Sequence, residues 1–393
     1  MNPCQLIVPV WLECKETTLL GWTRFYSGEK ANWVRLAAVF ILLLVACIST
    51  LAKAEFVTPS HFGSPNVPAE TPLSEDAFEL GRQLFYDPVL SGSNLVSCAS
   101  CHIQRLAFTD GVAKSSGSYG MELEFNSMSL ANLMWGPQLF FWDGRVNSLE
   151  NQALAALVSI EEMDQELGEL VAELRAIPDY RQRFRYVYGE LTSQAVVRGL
   201  ASFMRMLVTD QSKYDGYLRG EARLLEQEEQ GRLLFGSGNS TQSAKPGANC
   251  ASCHNLVPHS RSHTITERFR NNGLDDAEEL SNGLMESTGN PAHRGVFKTP
   301  TLRNIEVTAP YMHDGRFNNL REVIEHYNHG VKQSPTLDPL LINRSGPTGT
   351  SRHPIKLGLG HEEIDALIAF LKTLTDEKFL ADTRFSNPFP QKN

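Results

Sequence analysis

Cys98-Ala99-Ser100-Cys101-His102 decides the reading of this chain, and it returns as Cys250-Ala251-Ser252-Cys253-His254. A Cys-x-x-Cys-His run is the attachment signature of c-type haem. Two intervening residues set both sulfurs along one porphyrin edge for thioether formation, and the adjacent His reaches the iron as proximal ligand. The competing reading is zinc. A zinc ribbon needs its two Cys-x-x-Cys knuckles roughly 15–20 residues apart. Here they lie about 150 positions apart, each with its own His. Two covalently bound haem c groups are therefore expected, one on Cys98, Cys101 and His102 and one on Cys250, Cys253 and His254.

The 393 residues suffice for two domains of ordinary size. Composition is globular, 41% hydrophobic and 21% charged. A formal charge of −9 with no long single-sign run argues against nucleic acid as a partner. Of the seven cysteines, four belong to the two motifs, and Cys4, Cys14 and Cys47 all precede residue 55. Leu36 to Ala46 is an apolar run of signal-peptide length, preceded by Lys30 and Arg35, and short for a membrane span. Ala52-Lys53-Ala54 fits the small-x-small cleavage rule, so residues 1–54 read as a cleaved signal region and Glu55 as the mature start. Residues 1–33 suit an over-called translation start. Leu44-Val45-Ala46-Cys47 also resembles a lipoprotein cleavage box, which would make Cys47 a lipid anchor. Both routes place the chain in the periplasm, outside the cytoplasm, where bacterial haem c is attached.

Working outward from the motifs, a helix is predicted from Thr71-Pro72 towards Tyr86, stopped by Asp87-Pro88. Residues 103–140 read as irregular, and a helix follows from about Ser148. A later helix carries Val196, Leu200, Phe203 and Leu207, and the final one Ile364, Leu367, Ile368, Leu371 and Leu374. Lys213 to Gly220 reads as an interdomain link. The halves repeat one another. Glu79 to Phe85 matches Glu229 to Phe235, Trp142-Asp-Gly-Arg145 matches His313-Asp-Gly-Arg316, and Leu200 to Phe203 matches Leu367 to Phe370. The expected fold is mostly α: two cytochrome c-like domains arising from an internal repeat, residues 55–218 and 219–393. Pro335 to Leu357 is a Pro/Gly/Ser-rich loop with no counterpart in the first half.

Aligned on Trp142 and His313, the halves differ where it matters. Tyr327 lies fourteen residues after His313, and the equivalent position after Trp142 is Ala156. A phenolate can ligate ferric haem and alanine cannot. No His occurs between His102 and His254 to close the first iron. The alternative for Tyr327 is a core aromatic of the pocket. An open ferric haem in a polar pocket suits peroxide, whose O–O heterolysis needs a proton moved between its oxygens. Gln152 and Glu162 follow Trp142 by ten and twenty residues. A carboxyl in such a pocket has a raised pKa and can shuttle that proton. The plainer readings are a helix-forming Gln and a solvated Glu.

These residues resemble the bacterial di-haem cytochrome c peroxidases and MauG-type enzymes over about residues 70–380. The resemblance rests on both Cys-x-x-Cys-His motifs, on Phe141-Trp-Asp-Gly-Arg145, and on Thr299-Pro-Thr-Leu-Arg-Asn304 with Thr308 to Arg316. It implies that His102 serves the peroxidatic haem and His254 the electron-transfer haem. It makes Trp142 the relay between them, and Gln152 and Glu162 the distal residues, with Glu162 the acid–base group. It also implies a structural calcium bound by Asn126, Thr308 and Pro310, through one side-chain amide and two backbone carbonyls.

Two departures from the family pattern stand out. Ser118 to Asn126 contains no His of the kind that caps the resting iron in reductively activated members. Tyr327 stands where those members carry Met and looks like the MauG type, with Met312, His326 and His329 as rival sixth ligands. MauG also passes its oxidising equivalent through a Trp near the C-terminal haem, and this chain has no Trp after Trp142. The expected function is a peroxidase that reduces hydrogen peroxide with electrons from a small cytochrome c or a cupredoxin. The alternative is a MauG-like oxidase that uses a peroxide-derived high-valent di-haem state on a partner protein or small molecule. A plain electron carrier would gain nothing from Ala156 beside an open iron. A homodimer completes the expected partners.

Overall fold

A computed structural model of the chain describes residues 56–390 apart from 57, 70, 72, 137–138, 238–246, 257–268 and 346–350. The signal region, Cys4, Cys14, Cys47 and Pro72 lie outside the described residues. The main helices are α1 Glu75–Tyr86, α2 Leu149–Val158, α3 Leu167–Ala176, α4 Pro178–Tyr188, α5 Ser193–Arg205, α6 Lys213–Leu218, α7 Glu226–Gly236, α8 Leu320–Glu325 and α9 His361–Lys372. Sheet is confined to two short antiparallel pairs, β1 Phe269–Arg270 with β2 Phe297–Lys298 and β3 Ile342–Ser345 with β4 Ser351–Pro354. The fold is thus mostly α, as the periodicity predicts. No described helix is long and apolar enough to cross a membrane.

α1 begins three residues later than predicted, because Ser74 caps it by accepting from the Ala77 N–H, with Glu75 and Asp76 in the first turn. Its face of Phe78, Leu80, Leu84 and Phe85 packs against α5, which buries Val196, Leu200 and Phe203. The two helices meet at Gly81 and Gly199, where a Cβ on Gly81 would collide with the Gly199 carbonyl. α7 and α9 meet the same way, a Cβ on Gly231 colliding with the Ala366 carbonyl. Each pair builds one core, the first around Phe78, Phe85, Phe108 and Phe203, the second around Phe235, Ile364, Leu367 and Phe370. Leu207 and Leu374 fall just past their helix ends but are buried in the same cores.

Between the helix pairs, both halves follow one path. Asn132 and Asn304 take left-handed backbone at φ 58° and 59° and open the turns Leu133–Trp135 and Ile305–Val307. Phe140 bridges Val146, and Tyr311 bridges Phe317. Phe141 and Met312 both have positive φ. Ser148 and Asn319 then cap α2 and α8. The paths part after that. α2 continues as α-helix to Val158, whereas α8 ends after six residues and passes into a π-turn, His326–Gly330.

Three segments differ from expectation. The predicted link at Lys213 to Gly220 is α6, and its Asp215 is fully buried rather than solvated. The Pro335–Leu357 loop carries the β3–β4 hairpin, and its Leu341, Ile355 and Leu357 face a cavity. After α9 the chain returns, burying Phe379 and Phe385 in the first core.

Candidate haem cavities and the residues between them

The first cavity, about 380 Å³, is lined by Cys98, Cys101 and His102 together with Phe141, Trp142, Arg145, Gln152, Ala156 and Glu162. The Cys98–Cys101 turn ends at His102, whose Nδ1 donates to the Phe108 carbonyl at 2.7 Å. That bond fixes the tautomer and leaves Nε2 bare, while burial holds the ring neutral. The Ser127 hydroxyl donates to the Cys101 carbonyl at 2.7 Å and steadies the turn. Burial pushes the Cys98 thiol up to about 12, with the neighbouring Cys101 adding to it. An uncharged sulfur, such as a thioether, suits that setting.

Glu162 sits in the same cavity with its carboxyl pKa raised by burial, opposed by Arg145 at 3.7 Å and reinforced by Glu161. Arg145 is itself held in place. It lies over the Phe141 ring at 3.6 Å and donates to both oxygens of Asp143 at 3.1 Å. The Gln152 Oε1 is buried and has no hydrogen-bond partner. An orphaned acceptor in a cavity is the mark of a site shaped for a ligand with a proton to donate.

The second cavity, about 310 Å³, is lined by Cys250, Cys253, His254, Met312 and Tyr327. His254 Nδ1 donates to the Pro300 carbonyl at 3.1 Å, and burial lowers its pKa to about 4. Tyr327 comes from the π-turn, which re-aims side chains after α8. Burial raises its phenol, opposed by a hydrogen bond from Asn272. The Asn272 amide also reaches the Met312 sulfur at 3.4 Å. The rival histidines are engaged elsewhere. His326 Nε2 donates to the Asn272 carbonyl at 3.1 Å, and His329 is exposed beside Glu325 at 3.3 Å. Neither lines the cavity.

Trp142, Asn126, Ser127 and Met128 line both cavities. The Trp142 N–H donates to the Asn126 carbonyl at 2.9 Å, and its ring lies 6.5 Å from His313, which stacks on Phe297 at 3.7 Å. The Asn126 amide nitrogen donates to the Val112 and Ala113 carbonyls, leaving the side-chain oxygen as the acceptor. Thr308 and Pro310 line the second cavity together with Asn126. Among the described residues no cluster of three His, Cys, Asp or Glu could hold a metal ion. A cation here would therefore depend on amide and carbonyl oxygens.

Sequence reasoning missed several residues. Asn272 touches Tyr327, Met312 and His326 and lies in no motif. Arg145 stood in the quoted block without a role. Trp135 lines the second cavity although it belongs to the first half, so the absence of a Trp after Trp142 does not leave that cavity without one.

The four motif cysteines form no disulfide, the two imidazoles each present a bare nitrogen, and both cavities are mostly apolar, the first with Glu162, Arg145 and the orphaned Gln152 oxygen in its lining. These residues fit haem c in both places. Fold and cavities together define a mostly α oxidoreductase built to hold two haems.

The comparisons make the class specific. A family profile described as di-haem cytochrome c peroxidase matches residues 75–223. The cytochrome c551 peroxidase of Nitrosomonas europaea is 32% identical over 353 residues, 88% of this chain and 91% of that protein. The methylamine utilization protein MauG of Methylorubrum extorquens is 32% identical over 329 residues, 83% and 84%. A solved MauG-like protein associated with microbial copper homeostasis superposes with a TM-score of 0.73 at 35% identity, covering 85% of this chain and 99% of that one. The chain belongs to the di-haem cytochrome c peroxidase and MauG family. It is an oxidoreductase of the peroxidase type, and the family implies two haem c cofactors, peroxide as substrate and a protein redox partner.

Proposed function

We propose that this chain reduces hydrogen peroxide to two waters in the His102 cavity. Two electrons would arrive singly from a small cytochrome c or a cupredoxin through the His254 cavity and Trp142, and two protons taken up from solvent would complete the two waters. The observation that carries the reading is the pairing of Glu162 with the orphaned Gln152 oxygen in a cavity where the position equivalent to Tyr327 is Ala156. Cys98, Cys101 and His102 would hold a haem, which when bound would supply the redox chemistry. The protein supplies the rest. The Glu162 carboxylate would take the proton from one peroxide oxygen and return it to the other, so that water leaves in place of hydroxide. Gln152 Oε1 accepts from the peroxide O–H and holds it beside Glu162. Trp142, its N–H fixed on Asn126, spans the two cavities.

Tyr327 as sixth ligand, supported by its place in the second cavity, favours a second reading: a MauG-like oxidase that acts on a partner protein or small molecule. A low-temperature EPR spectrum of the resting ferric protein beside Tyr327→Phe tests the ligand. One high-spin and one low-spin haem, the latter altered in the variant, is expected. Two low-spin haems unchanged by the variant would make Tyr327 a packing residue and leave a reductively activated peroxidase or a carrier. Absence of peroxide turnover with every reduced donor, both haems present, would sink the peroxidase reading.

Three further assignments belong to the same proposal. The chain comprises two cytochrome c-like domains, residues 55–218 and 219–393, descended from one by duplication, with Phe379 and Phe385 of the second range packed into the first core. Asn126, Thr308 and Pro310 hold calcium beside Trp142. The chain works in the periplasm after export, as a homodimer, freed by cleavage before Glu55 or anchored through Cys47.

A further inference from the structure

Four large apolar side chains stand in water on the segments that build the first cavity. Leu95 is 79% exposed, Ile160 63%, Tyr119 62% and Met121 43%. A single exposed apolar residue needs no explanation, but several gathered beside a cavity mark a place where something apolar binds. The segments that carry these four are tied together. The Ser93 and Ser118 hydroxyls share a hydrogen bond at 2.6 Å, the Ser118 N–H donates to the Glu162 carbonyl at 2.7 Å, and the Gly117 N–H donates to the Met121 carbonyl at 2.9 Å. Gly117 packs so closely on the Glu161–Glu162 turn that a Cβ there would collide with the Glu161 carbonyl. The same segments also form the cavity wall. Val96 follows Leu95, Leu123 lies two residues beyond Met121, and Ser159 and Glu161 flank Ile160; all four line the cavity. An apolar rim thus continues into a mostly apolar cavity. The charges on the rim are mainly of one sign. Glu122, Glu124 and Glu161 are exposed on it, and Lys114 faces Glu122 at 3.6 Å. Hydrogen peroxide, small and strongly hydrated, makes no use of an apolar rim.

We propose that the first cavity also reduces organic hydroperoxides with a small uncharged alkyl or aryl tail, the tail lying on Leu95, Tyr119, Met121 and Ile160. The inference rests on the peroxidase reading of Glu162 and Gln152. The hydroperoxide is the oxidant, and the one-electron donor protein of that reading supplies two electrons. The O–O bond breaks. Glu162 takes the O–H proton and delivers it to the oxygen that bears the carbon, so that an alcohol leaves in place of an alkoxide. The other oxygen leaves as water, completed by two protons from solvent. Laying the tail on the rim removes apolar surface from water and stabilises the bound hydroperoxide. The rim carboxylates repel a tail that ends in a carboxylate, which restricts the site to uncharged tails.

The test gives the holoprotein a reduced small c-type cytochrome with cumene hydroperoxide or hydrogen peroxide in turn. One 2-phenyl-2-propanol is expected for every two cytochromes oxidised. Met121→Ser combined with Ile160→Ser, both at exposed positions, is expected to raise KM for cumene hydroperoxide about three- to tenfold and to leave the hydrogen peroxide kinetics as they are. Saturation-transfer NMR of 2-phenyl-2-propanol on the resting protein is expected to show binding that weakens in the double variant. Cumene hydroperoxide bearing a para-carboxylate is expected to turn over more slowly than the parent, and equal turnover of the two overturns the charge selection. Turnover of hydrogen peroxide with none of cumene hydroperoxide, or a double variant that treats both as the wild type does, overturns the proposal and leaves the peroxidase reading standing. Turnover of cumene hydroperoxide alone sustains the proposal and removes hydrogen peroxide as the substrate. Turnover of neither overturns both.

Discussion

At the residue scale, the chemistry turns on how Glu162 is held. Burial raises its carboxyl pKa and Arg145 pulls it back. The carboxylate is the form that accepts the peroxide proton, so activity is present above the Glu162 pKa and lost as pH falls through it. The acidic limb of kcat/KM should therefore lie above the ordinary Glu value of about 4.3. Glu162→Gln should lower turnover by ~10²–10⁴ and remove that limb. Arg145→Leu removes the opposing charge, so the limb should move to higher pH in a pH–rate profile with both haems retained. A limb that stays where it was would show that Arg145 does not tune Glu162.

At the element scale, the two helix pairs depend on close backbone approach. Gly81→Ala places a methyl against the Gly199 carbonyl and must part α1 from α5. Overpacking of this kind costs about 1–3 kcal/mol, so denaturant unfolding should show a lower midpoint with an unchanged slope. Gly231→Ala should act likewise on α7 and α9, nearer the second cavity. The helical pattern of these elements was legible because apolar residues recur at three and four positions. The π-turn was not. The His326–Tyr327–Asn328–His329 run offers four polar or aromatic side chains, and only the winding of the backbone selects which one faces the cavity.

At the scale of the whole molecule, Asp215 ties distant segments. It accepts two bonds from Arg303 at 2.8 Å, one from His61 at 2.7 Å and two from Ser212. Burial alone would raise its pKa, but Arg303, Ser212 and His61 bring it down to about 2. A depressed carboxylate stabilises the fold above its unfolded pKa of about 3.9. That contribution is lost as pH falls from there towards 2. Asp215→Asn leaves Arg303 buried and uncompensated, and should cost about 3–5 kcal/mol. Calorimetry of the variant should then show the acid-dependent part of the stability between those two pH values gone. Calcium belongs to this scale as well. Chelation should slow electron exchange between the haems, because the Asn126 carbonyl that anchors Trp142 belongs to the proposed calcium residue. An unchanged exchange rate after the metal is stripped would separate the two.

The sequence by itself determined what local chemistry and spacing can encode: two haem attachment motifs, a mostly α pattern, the matched blocks in both halves and the contrast of Tyr327 with Ala156. Covalent attachment needs only five consecutive residues, and helical periodicity needs only neighbours. Tertiary structure decided which side chains meet across long separations. It turned His326 towards Asn272, brought Trp135 from the first half to the second cavity, buried Asp215 in what read as a link, and set Arg145 beside Glu162. None of these follows from spacing, because each depends on a backbone turn or a packed neighbour far away along the chain.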